Sequence, residues 1–401
     1  MKLHKNIVQA VVVGLEEIFA KNMLADRIVK KQIRSDRRWG SRDRRFIAES
    51  IYDIVRWWRW YLAIGEIDEM DAECYSKVVA VYLVNKKEIL PDWFQPEIPS
   101  LEIIESNKIK FEKDWKISNS IPDWLDELGK AELGEQWNKE MEALNQTTDV
   151  VLRVNTLKIE KTKLILLLKK EGVEVEEILD FPDALLLKQR KDLSQLKTFK
   201  NGFYEIQDAS SQLVGPFAKV KAGMTVIDAC AGAGGKSLHL AAQMENKGRI
   251  LALDIEDAKL DELERRSKRA GTRIISAHII HSTQIRKLHE KADVLLLDAP
   301  CSGLGILRRK PDAKWKLSLE KIKEYQEKQQ QILEEYESML KPGGLLIYVT
   351  CSILASENEG QIASFISKKE GIYSLEEERK VMPSEGFDGF YMARLRKKDI
   401  A

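Results

Sequence analysis

Two cysteines in this 401-residue chain stand where covalent chemistry could be carried out. Cys301 lies in the run Asp298-Ala-Pro-Cys-Ser-Gly-Leu-Gly305, and Cys351 lies in Thr350-Cys-Ser352. Each run follows an apolar stretch that is typical of a buried parallel strand. The carboxyl ends of parallel strands form the ligand-binding edge of an open sheet, so both thiols are predicted to lie at that edge. Paired thiols there indicate covalent chemistry, although two buried structural cysteines are the alternative.

A glycine-rich turn precedes these cysteines. It reads Asp228-Ala-Cys-Ala-Gly-Ala-Gly-Gly-Lys-Ser237 and leads into a predicted helix, so a ligand could approach its backbone amides closely. A Walker loop would need glycine in place of Cys230, and the dinucleotide fingerprint would need it in place of Ser237. Asp254 ends the next strand, where a carboxylate can accept hydrogen bonds from ribose hydroxyls. A tight turn without a ligand is one interpretation; an adenosine cofactor with a cationic tail, S-adenosylmethionine, fits these residues better.

The hydrophobic pattern predicts the elements that position these residues. From about Gly202, strand-like and helical runs alternate, which is typical of a doubly wound α/β fold. The expected strands are Thr225–Ile227, Arg249–Leu253, Ile274–Ile280, Val294–Leu297 and Leu345–Val349, and the expected helices include Asp257–Arg269 and Ser318–Leu340. A smaller α/β stretch precedes them, with strands at 150–156 and 184–187 around a helix at 161–170.

The N-terminal stretch is predicted to be a small helical domain, because apolar residues recur at helical spacing from Leu3 to about Asn85. Its middle carries arginines interleaved with tryptophans, namely Arg34, Arg37, Arg38, Trp39, Arg42, Arg44, Arg45, Arg56, Trp57, Trp58 and Trp60. Guanidinium groups bind phosphates and aromatic rings stack on unpaired bases, so this patch could contact RNA. Alternatively, the arginines pair with neighbouring acidic residues and the tryptophans belong to the core.

Composition argues against several classes of protein. A hydrophobic fraction of 44% with 32% charged residues fits a soluble globular chain, while the net charge of +1 identifies no partner. The four cysteines are too scattered for a disulfide scaffold, and neither they nor the five histidines have the spacing of metal ligands. No apolar run approaches the roughly 20 residues of a membrane span. We therefore expect a cytoplasmic protein without a metal or a membrane anchor.

Several motifs together resemble the Sun/RsmB family of RNA cytosine-C5 methyltransferases. The resemblance rests on the glycine-rich turn, on both cysteine runs and on five shorter pieces, namely Arg153-Val-Asn-Thr-Leu-Lys158, Gln207-Asp-Ala-Ser-Ser211, Arg309-Lys-Pro-Asp312, Glu357-Asn-Glu359 and Asp388-Gly-Phe-Tyr-Met-Ala-Arg394. It spans about Val150 to Lys397. The helical N-terminal stretch is similar to the NusB-like RNA-binding domain of the family's bacterial ribosomal members.

The resemblance implies three parts. Residues 1–125 are expected to form an all-helical NusB-like RNA-binding domain with a linker, and residues 126–201 a small RRM-like α/β extension. Residues 202–401 are expected to form a Rossmann-type class I methyltransferase domain that uses S-adenosylmethionine.

The same resemblance implies a role for each site residue. Cys351 is the expected nucleophile toward C6 of cytosine, and Cys301 is expected to assist product release. Asp298 is expected to bind the N3 and N4 edge of the base. The implied cofactor-binding residues are Cys230, Ala231, Gly232, Ala233, Gly234, Gly235, Lys236, Asp254 and Asp298. RNA phosphates could contact Arg308, Arg309 and Lys310, and a solvated charge run is the alternative.

The chain departs from the family pattern at two places. Gly232-Ala233 stands where the family has Ala-Pro, which keeps the backbone donors of the turn. The family's Asp near the adenine has no match in the segment Ile279-Ile-His-Ser-Thr-Gln284, and Thr283 at that place is assigned no role.

These observations predict an S-adenosylmethionine-dependent cytosine-C5 methyltransferase of ribosomal RNA. Two alternatives stay open at this point. One is methylation of tRNA by the same chemistry. The other is a catalytically inactive RNA-binding factor for ribosome assembly. The only reason for this alternative is that the family's Asp near the adenine has no match in this chain. The sequence predicts neither the target cytosine nor the oligomeric state.

Overall fold

The structure is a computed structural model that describes residues 3–399. Its residues form two compact units. One comprises the described residues up to Gln146 together with Leu307–Leu319, and the other comprises Thr147–Ile306 and the described residues from Glu320 onward. The three-part division at residues 125 and 201 therefore differs from these units, and it stays a prediction.

The helical unit contains α1 Lys5–Phe19, α2 Ala25–Gln32, α3 Ser41–Arg56, α4 Trp58–Ile64, α5 Cys74–Asn85, α6 Leu101–Phe111, α7 Trp115–Ser118, α8 Asp123–Leu133 and α9 Gln136–Leu144. The strands of the other unit are β1 Val151–Val154, β2 Val175–Glu177, β3 Ala184–Leu187, β4 Tyr204–Ile206, β5 Thr225–Asp228, β6 Arg249–Asp254, β7 Ile275–Ile279, β8 Ala292–Asp298, β9 Leu340–Thr350, β10 Tyr373–Val381 and β11 Phe390–Lys397. The remaining helices are α10 Lys161–Lys170, α11 Lys197–Lys200, α12 Ala209–Gln212, α13 Val214–Phe217, α14 Gly235–Gln243, α15 Asp257–Ala270, α16 Ser282–Lys287, α17 Ala313–Lys316, α18 Leu319–Tyr336 and α19 Glu359–Lys368.

The predicted N-terminal helices are confirmed. The apolar face of α1 is buried, with Ile7, Val11 and Leu15 at one-turn spacing in the core. Gly14 on the same helix lets α3 approach closely, because a Cβ there would lie 2.8 Å from the side chain of Ile51. The NusB-like character of this unit stays a prediction.

The segment 307–319, which contains α17, belongs to the helical unit although it follows the Cys301 run in sequence. Asp312 accepts a hydrogen bond from the backbone N–H of Ala25 at 3.0 Å, and the indole of Trp315 donates to the carbonyl oxygen of Val55 at 2.7 Å. Arg56 is buried and donates to the carbonyl oxygens of Leu307 and Arg308. Nothing in the local sequence pattern predicted this assignment.

The first sheet of the other unit has four antiparallel strands in the order β2-β3-β1-β4. Its chain order, strand, helix, two strands, helix, strand, is the split βαβ arrangement of ferredoxin-like domains. All four residues of β1 are buried, as expected of a central strand.

The second sheet has the strand order β10-β11-β9-β8-β5-β6-β7. The five strands from β9 to β7 are parallel, and they are the five strands that the hydrophobic pattern predicted. The doubly wound, Rossmann-like fold is therefore confirmed. The order reverses between β5 and β8, which is the position where open α/β sheets bind ligands.

Strands β10 and β11 were not predicted. They extend the sheet as an antiparallel pair beside β9. The middle of β10 reads Glu376-Glu-Glu378, which lacks the apolar alternation of a half-buried strand.

Candidate active site

The glycine-rich turn connects β5 to α14 directly above the point where the strand order reverses. Gly232 and Gly234 have φ angles of 53° and 82°, which glycine adopts at little cost. A Cβ on Gly234 would also lie 2.5 Å from Leu263 of α15, whereas one on Gly232 would meet no atom within 4 Å. The turn is therefore tightly packed on one side and open at Gly232.

Two arginines, the buried Arg153 and the half-buried Arg266, hydrogen-bond to carbonyl oxygens of the turn. Arg153 of β1 donates to the carbonyl oxygen of Gly235 at 2.6 Å, and Arg266 of α15 donates to that of Ala233 at 2.7 Å. Burial lowers the pKa of Arg153 to about 10, so this guanidinium stays charged at neutral pH. Arg153 was noted only within a resembling motif, and its contact with the turn is a long-range one between residues 82 apart in sequence.

Asp254, at the end of β6, is fixed by two backbone amides. Its Oδ2 atom accepts from Gly232 N at 2.8 Å, and its Oδ1 atom accepts from Glu256 N at 3.0 Å. Each carboxylate oxygen has a further lone pair for a ligand hydroxyl. The next side chain, Ile255, is 72% exposed and offers an apolar surface beside the carboxylate. Sequence reasoning missed Ile255, although its position directly after the acidic residue was a usable signal.

Asp228 offers a test of whether a cationic cofactor fits. The side chain is fully buried, and Ser237 donates to its Oδ2 atom at 2.6 Å. Within residues 3–399, its Oδ1 atom has no hydrogen-bond partner. Burial raises the pKa of Asp228 to about 7, although the hydrogen bond from Ser237 opposes this effect. A buried acceptor at this turn fits a ligand that brings donors or positive charge, which the amino and sulfonium groups of S-adenosylmethionine would supply.

Lys236 and Asp298 form an ion pair between the turn and the end of β8. Lys236 Nζ lies 2.6 Å from Asp298 Oδ2 and 5.2 Å from the centre of the Phe390 ring. Burial acts to lower the pKa of Lys236, but the adjacent Asp298 carboxylate outweighs it, and the pKa is raised overall. The side chain of Asp298 is 31% exposed, so a ligand can still reach it. Phe390 lies on an unpredicted strand and was noted only within the piece Asp388 to Arg394, without a role.

The thiol groups of the two cysteines are in contact. Cys301 Sγ and Cys351 Sγ lie 3.5 Å apart, and the Gly305 amide donates to the carbonyl oxygen of Cys351 at 2.9 Å. The hydrogen bond with Cys351 and burial both raise the pKa of Cys301 well above its ordinary value. Cys301 is therefore a neutral thiol at neutral pH. The prediction that both thiols lie at one sheet edge is confirmed.

Cys230 was predicted as a cofactor-binding residue, whereas Thr283 was assigned no role. Cys230 is half-buried in the turn, and burial raises the pKa of its thiol well above the ordinary value. Thr283 is exposed at the start of α16. Among the residues that the structure describes there is no cluster of metal-ligating side chains, and no helix is both long and apolar enough to cross a bilayer.

The fold and the site together define a Rossmann-type methyltransferase. A family model described as 16S rRNA methyltransferase RsmB/F matches residues 217–396, and one described as the RsmF/B-like ferredoxin-like domain matches residues 121–194. The chain is 35% identical over 309 residues to ribosomal RNA small subunit methyltransferase B of Pasteurella multocida, a match that covers 73% of this chain and 68% of that protein. The chain belongs to the RsmB/F methyltransferase family.

Two further comparisons concern another relative and the fold. The protein of the same name from Vibrio cholerae is 33% identical over 285 residues, and the match covers 69% of this chain but 65% of that relative. The crystal structure of PH0851 superimposes with a TM-score of 0.81 at 23% identity, covering 99% of this chain and all of that one. This structural likeness supports the fold.

Proposed function

We propose that this protein is an S-adenosylmethionine-dependent cytosine-C5 methyltransferase of ribosomal RNA. The observation that carries the proposal is the 3.5 Å approach of Cys301 and Cys351 beside the Lys236–Asp298 pair. RNA as substrate follows from the family and from the names of the relatives. The glycine-rich turn and Asp254 would hold the cofactor, which supplies an electrophilic methyl group when bound.

Cytosine C5 is a weak nucleophile, so the protein must activate the base. The thiolate of Cys351 adds to C6, and the electron pair of the C5–C6 double bond becomes available at C5. Asp298, at the end of β8, would bind the N3 and N4 edge of the base and thereby stabilise the adduct. Lys236 fixes the orientation of this carboxylate through their contact.

Release requires the opposite step. After C5 is methylated, a base removes the proton from C5, the C5–C6 double bond re-forms, and the Cys351 thiolate leaves. Cys301 lies beside the leaving sulfur, and its raised pKa keeps it protonated. The family resemblance is the basis for assigning Cys351 as the attacking residue and Cys301 as the residue that assists release, and a protonated Cys301 beside the leaving sulfur is compatible with that assignment.

RNA binding is proposed for the surface formed by α2, α3 and the loop between them. It exposes a set of cationic side chains, namely Arg27, Lys30, Arg34, Arg37, Arg42, Arg44 and Arg45. Of the nearby tryptophans, Trp39 and Trp58 are buried, and Trp57 and Trp60 pack against the core, so the proposal rests on the arginines. We expect the arginines to contact phosphates.

The proposal is tested by incubating the protein with labelled S-adenosylmethionine and either ribosomal RNA or tRNA, followed by nucleoside analysis. 5-Methylcytosine in ribosomal RNA is expected. Product in tRNA alone would move the assignment to tRNA, and no product in either RNA would contradict the enzyme assignment.

The cysteine roles are tested separately. Cys351→Ala should give neither product nor a covalent complex. Cys301→Ala should accumulate a protein–RNA adduct that survives a denaturing gel. The reverse pattern would exchange the two roles, and Cys74→Ser in α5 is the matched control.

A further inference from the structure

Glu357 links the two cysteine loops through one buried carboxylate. It ends the short turn Ala355–Glu357 and is fully buried. Its Oε1 atom accepts from the backbone N–H of Ser302 at 2.8 Å. Its Oε2 atom accepts from the hydroxyls of Ser302 at 2.5 Å and Ser352 at 2.6 Å. These two serines directly follow Cys301 and Cys351 in sequence.

Further contacts fix the carboxylate itself. Gln329 of α18 donates to Glu357 Oε1 at 3.1 Å and to the carbonyl oxygen of Pro300 at 2.9 Å, so it also holds the residue before Cys301. The hydroxyl of Tyr348 donates to the carbonyl oxygen of Glu357 at 2.8 Å. The carboxylate therefore receives donors from both loops and from α18.

The neighbouring Asn358 completes the connection on the Cys351 side. Its Nδ2 atom donates to the carbonyl oxygen of Ser352 at 3.0 Å, and its Oδ1 atom accepts from the hydroxyl of Thr350 at 2.5 Å. The residues before and after Cys351 are thus both bound to the segment that carries Glu357.

A buried carboxylate is costly unless donors surround it, and its loss leaves those donors unsatisfied. Packing alone does not require a charged residue here. The carboxylate joins the chain beside Cys301 to the chain beside Cys351 through both serines, in addition to the backbone bond from Gly305 to Cys351 and the 3.3 Å contact between the two serine hydroxyls. Because the side chain has no exposed surface, Glu357 is not placed to act as a base on the RNA.

We propose that Glu357 is a positioning residue that sets the separation and orientation of Cys301 and Cys351. The inference rests on the proposed function, because it deepens the account of the same site. Covalent addition and release need both sulfur atoms near C6 in succession, and a displacement of about 1 Å can cost roughly 100-fold in rate.

The test compares Glu357→Gln with Glu359→Gln. The amide in Glu357→Gln keeps the size of the side chain but replaces one acceptor oxygen with a donor facing the serines. Glu359 lies two residues away and forms an ion pair with Lys380 at 2.6 Å. The Glu359 side chain is 39% exposed, so Glu359→Gln is a matched control.

The first measurement needs no RNA. Dibromobimane bridges two neighbouring thiols as each displaces one bromide, and mass spectrometry of the digested protein identifies the Cys301–Cys351 product. We expect Glu357→Gln to lose most of this product, while Glu359→Gln behaves like the wild type. Equal bridging in all three proteins would overturn the proposal.

The second measurement is methylation. We expect kcat of Glu357→Gln to fall by roughly 10- to 100-fold with unchanged KM values for RNA and S-adenosylmethionine. A change confined to KM would contradict a positioning role. If the wild type itself methylates no RNA while bridging still depends on Glu357, the proposed function fails and the positioning role stands.

Two serine variants keep the test decisive if Glu357→Gln does not fold. Ser302→Ala and Ser352→Ala each remove one hydroxyl donor and leave the carboxylate in place. Reduced bridging and reduced kcat in both variants are expected. Wild-type values for both variants would overturn the proposal.

Discussion

Replacement of Asp254 by asparagine tests the cofactor end of the site most directly. Asp254 is 8% exposed, and its two carboxylate oxygens accept from the amides of Gly232 and Glu256 at 2.8 and 3.0 Å. Asparagine keeps the size but exchanges one acceptor oxygen for a donor NH2 group. One backbone amide therefore loses its partner, and one ligand hydroxyl loses its acceptor.

The magnitude follows from that single lost bond. A hydrogen bond to a charged group contributes about 1.5–3 kcal/mol. Since about 1.4 kcal/mol corresponds to a tenfold change in affinity, the Kd for S-adenosylmethionine should rise roughly 10- to 150-fold. Disturbance of the turn at Gly232 adds to this effect rather than opposing it, because the carboxylate proposed to bind the ligand also accepts from the Gly232 amide.

Isothermal titration calorimetry with S-adenosylmethionine and S-adenosylhomocysteine measures this change. Asp257→Asn is the control, because Asp257 is exposed in the first turn of α15, three residues further along the chain. Thermal melting of both variants shows whether each is folded. An unchanged Kd in folded Asp254→Asn would refute the assignment of Asp254 to the cofactor.

Three further predictions concern the rest of the molecule. The pKa of Asp228 is raised from 3.8 to about 7 in the folded protein. The stabilisation from the protonated side chain is therefore fully present below about pH 4. It is lost as pH rises through 7, which lowers the free energy of unfolding by about 4 kcal/mol. Asp228→Asn should remove that pH dependence in urea unfolding at pH 4.5 and 8, and an unchanged profile would contradict it. Gly305→Ala should destabilise the protein by about 1–3 kcal/mol and slow methylation. The Cβ of the new alanine would collide with the backbone of Gly389 and lie 2.8 Å from the carbonyl oxygen of Cys351. A wild-type melting temperature and methylation rate would argue against this prediction. The triple variant Arg42→Gln, Arg44→Gln and Arg45→Gln should bind RNA with a weaker salt dependence. Measured by fluorescence anisotropy, the slope of log K against log salt concentration should fall in magnitude by about 0.7 for each phosphate contact removed. An unaltered slope would exclude this surface as the RNA-binding site.

Local sequence patterns were sufficient for the parts of the site that each lie within one motif. The turn from Asp228 to Ser237 requires positive φ angles, which its glycines signal directly. Asp254, Asp298 and Cys351 each follow an apolar run of a buried parallel strand, and strands of this kind place their carboxyl ends at one edge. The sequence alone therefore determined that these residues share a site.

Only the tertiary structure decided how the residues within the site contact one another. Lys236 and Asp298 are 62 residues apart, and Ser302 and Glu357 are 55 apart, so no local period encodes either contact. The position of 307–319 in the helical unit and the edge strands β10 and β11 are likewise set by long-range pairing. Propensity and periodicity predict the type of a helix or strand and which of its faces is apolar. The separation of two sulfur atoms depends instead on how segments distant in sequence pack together.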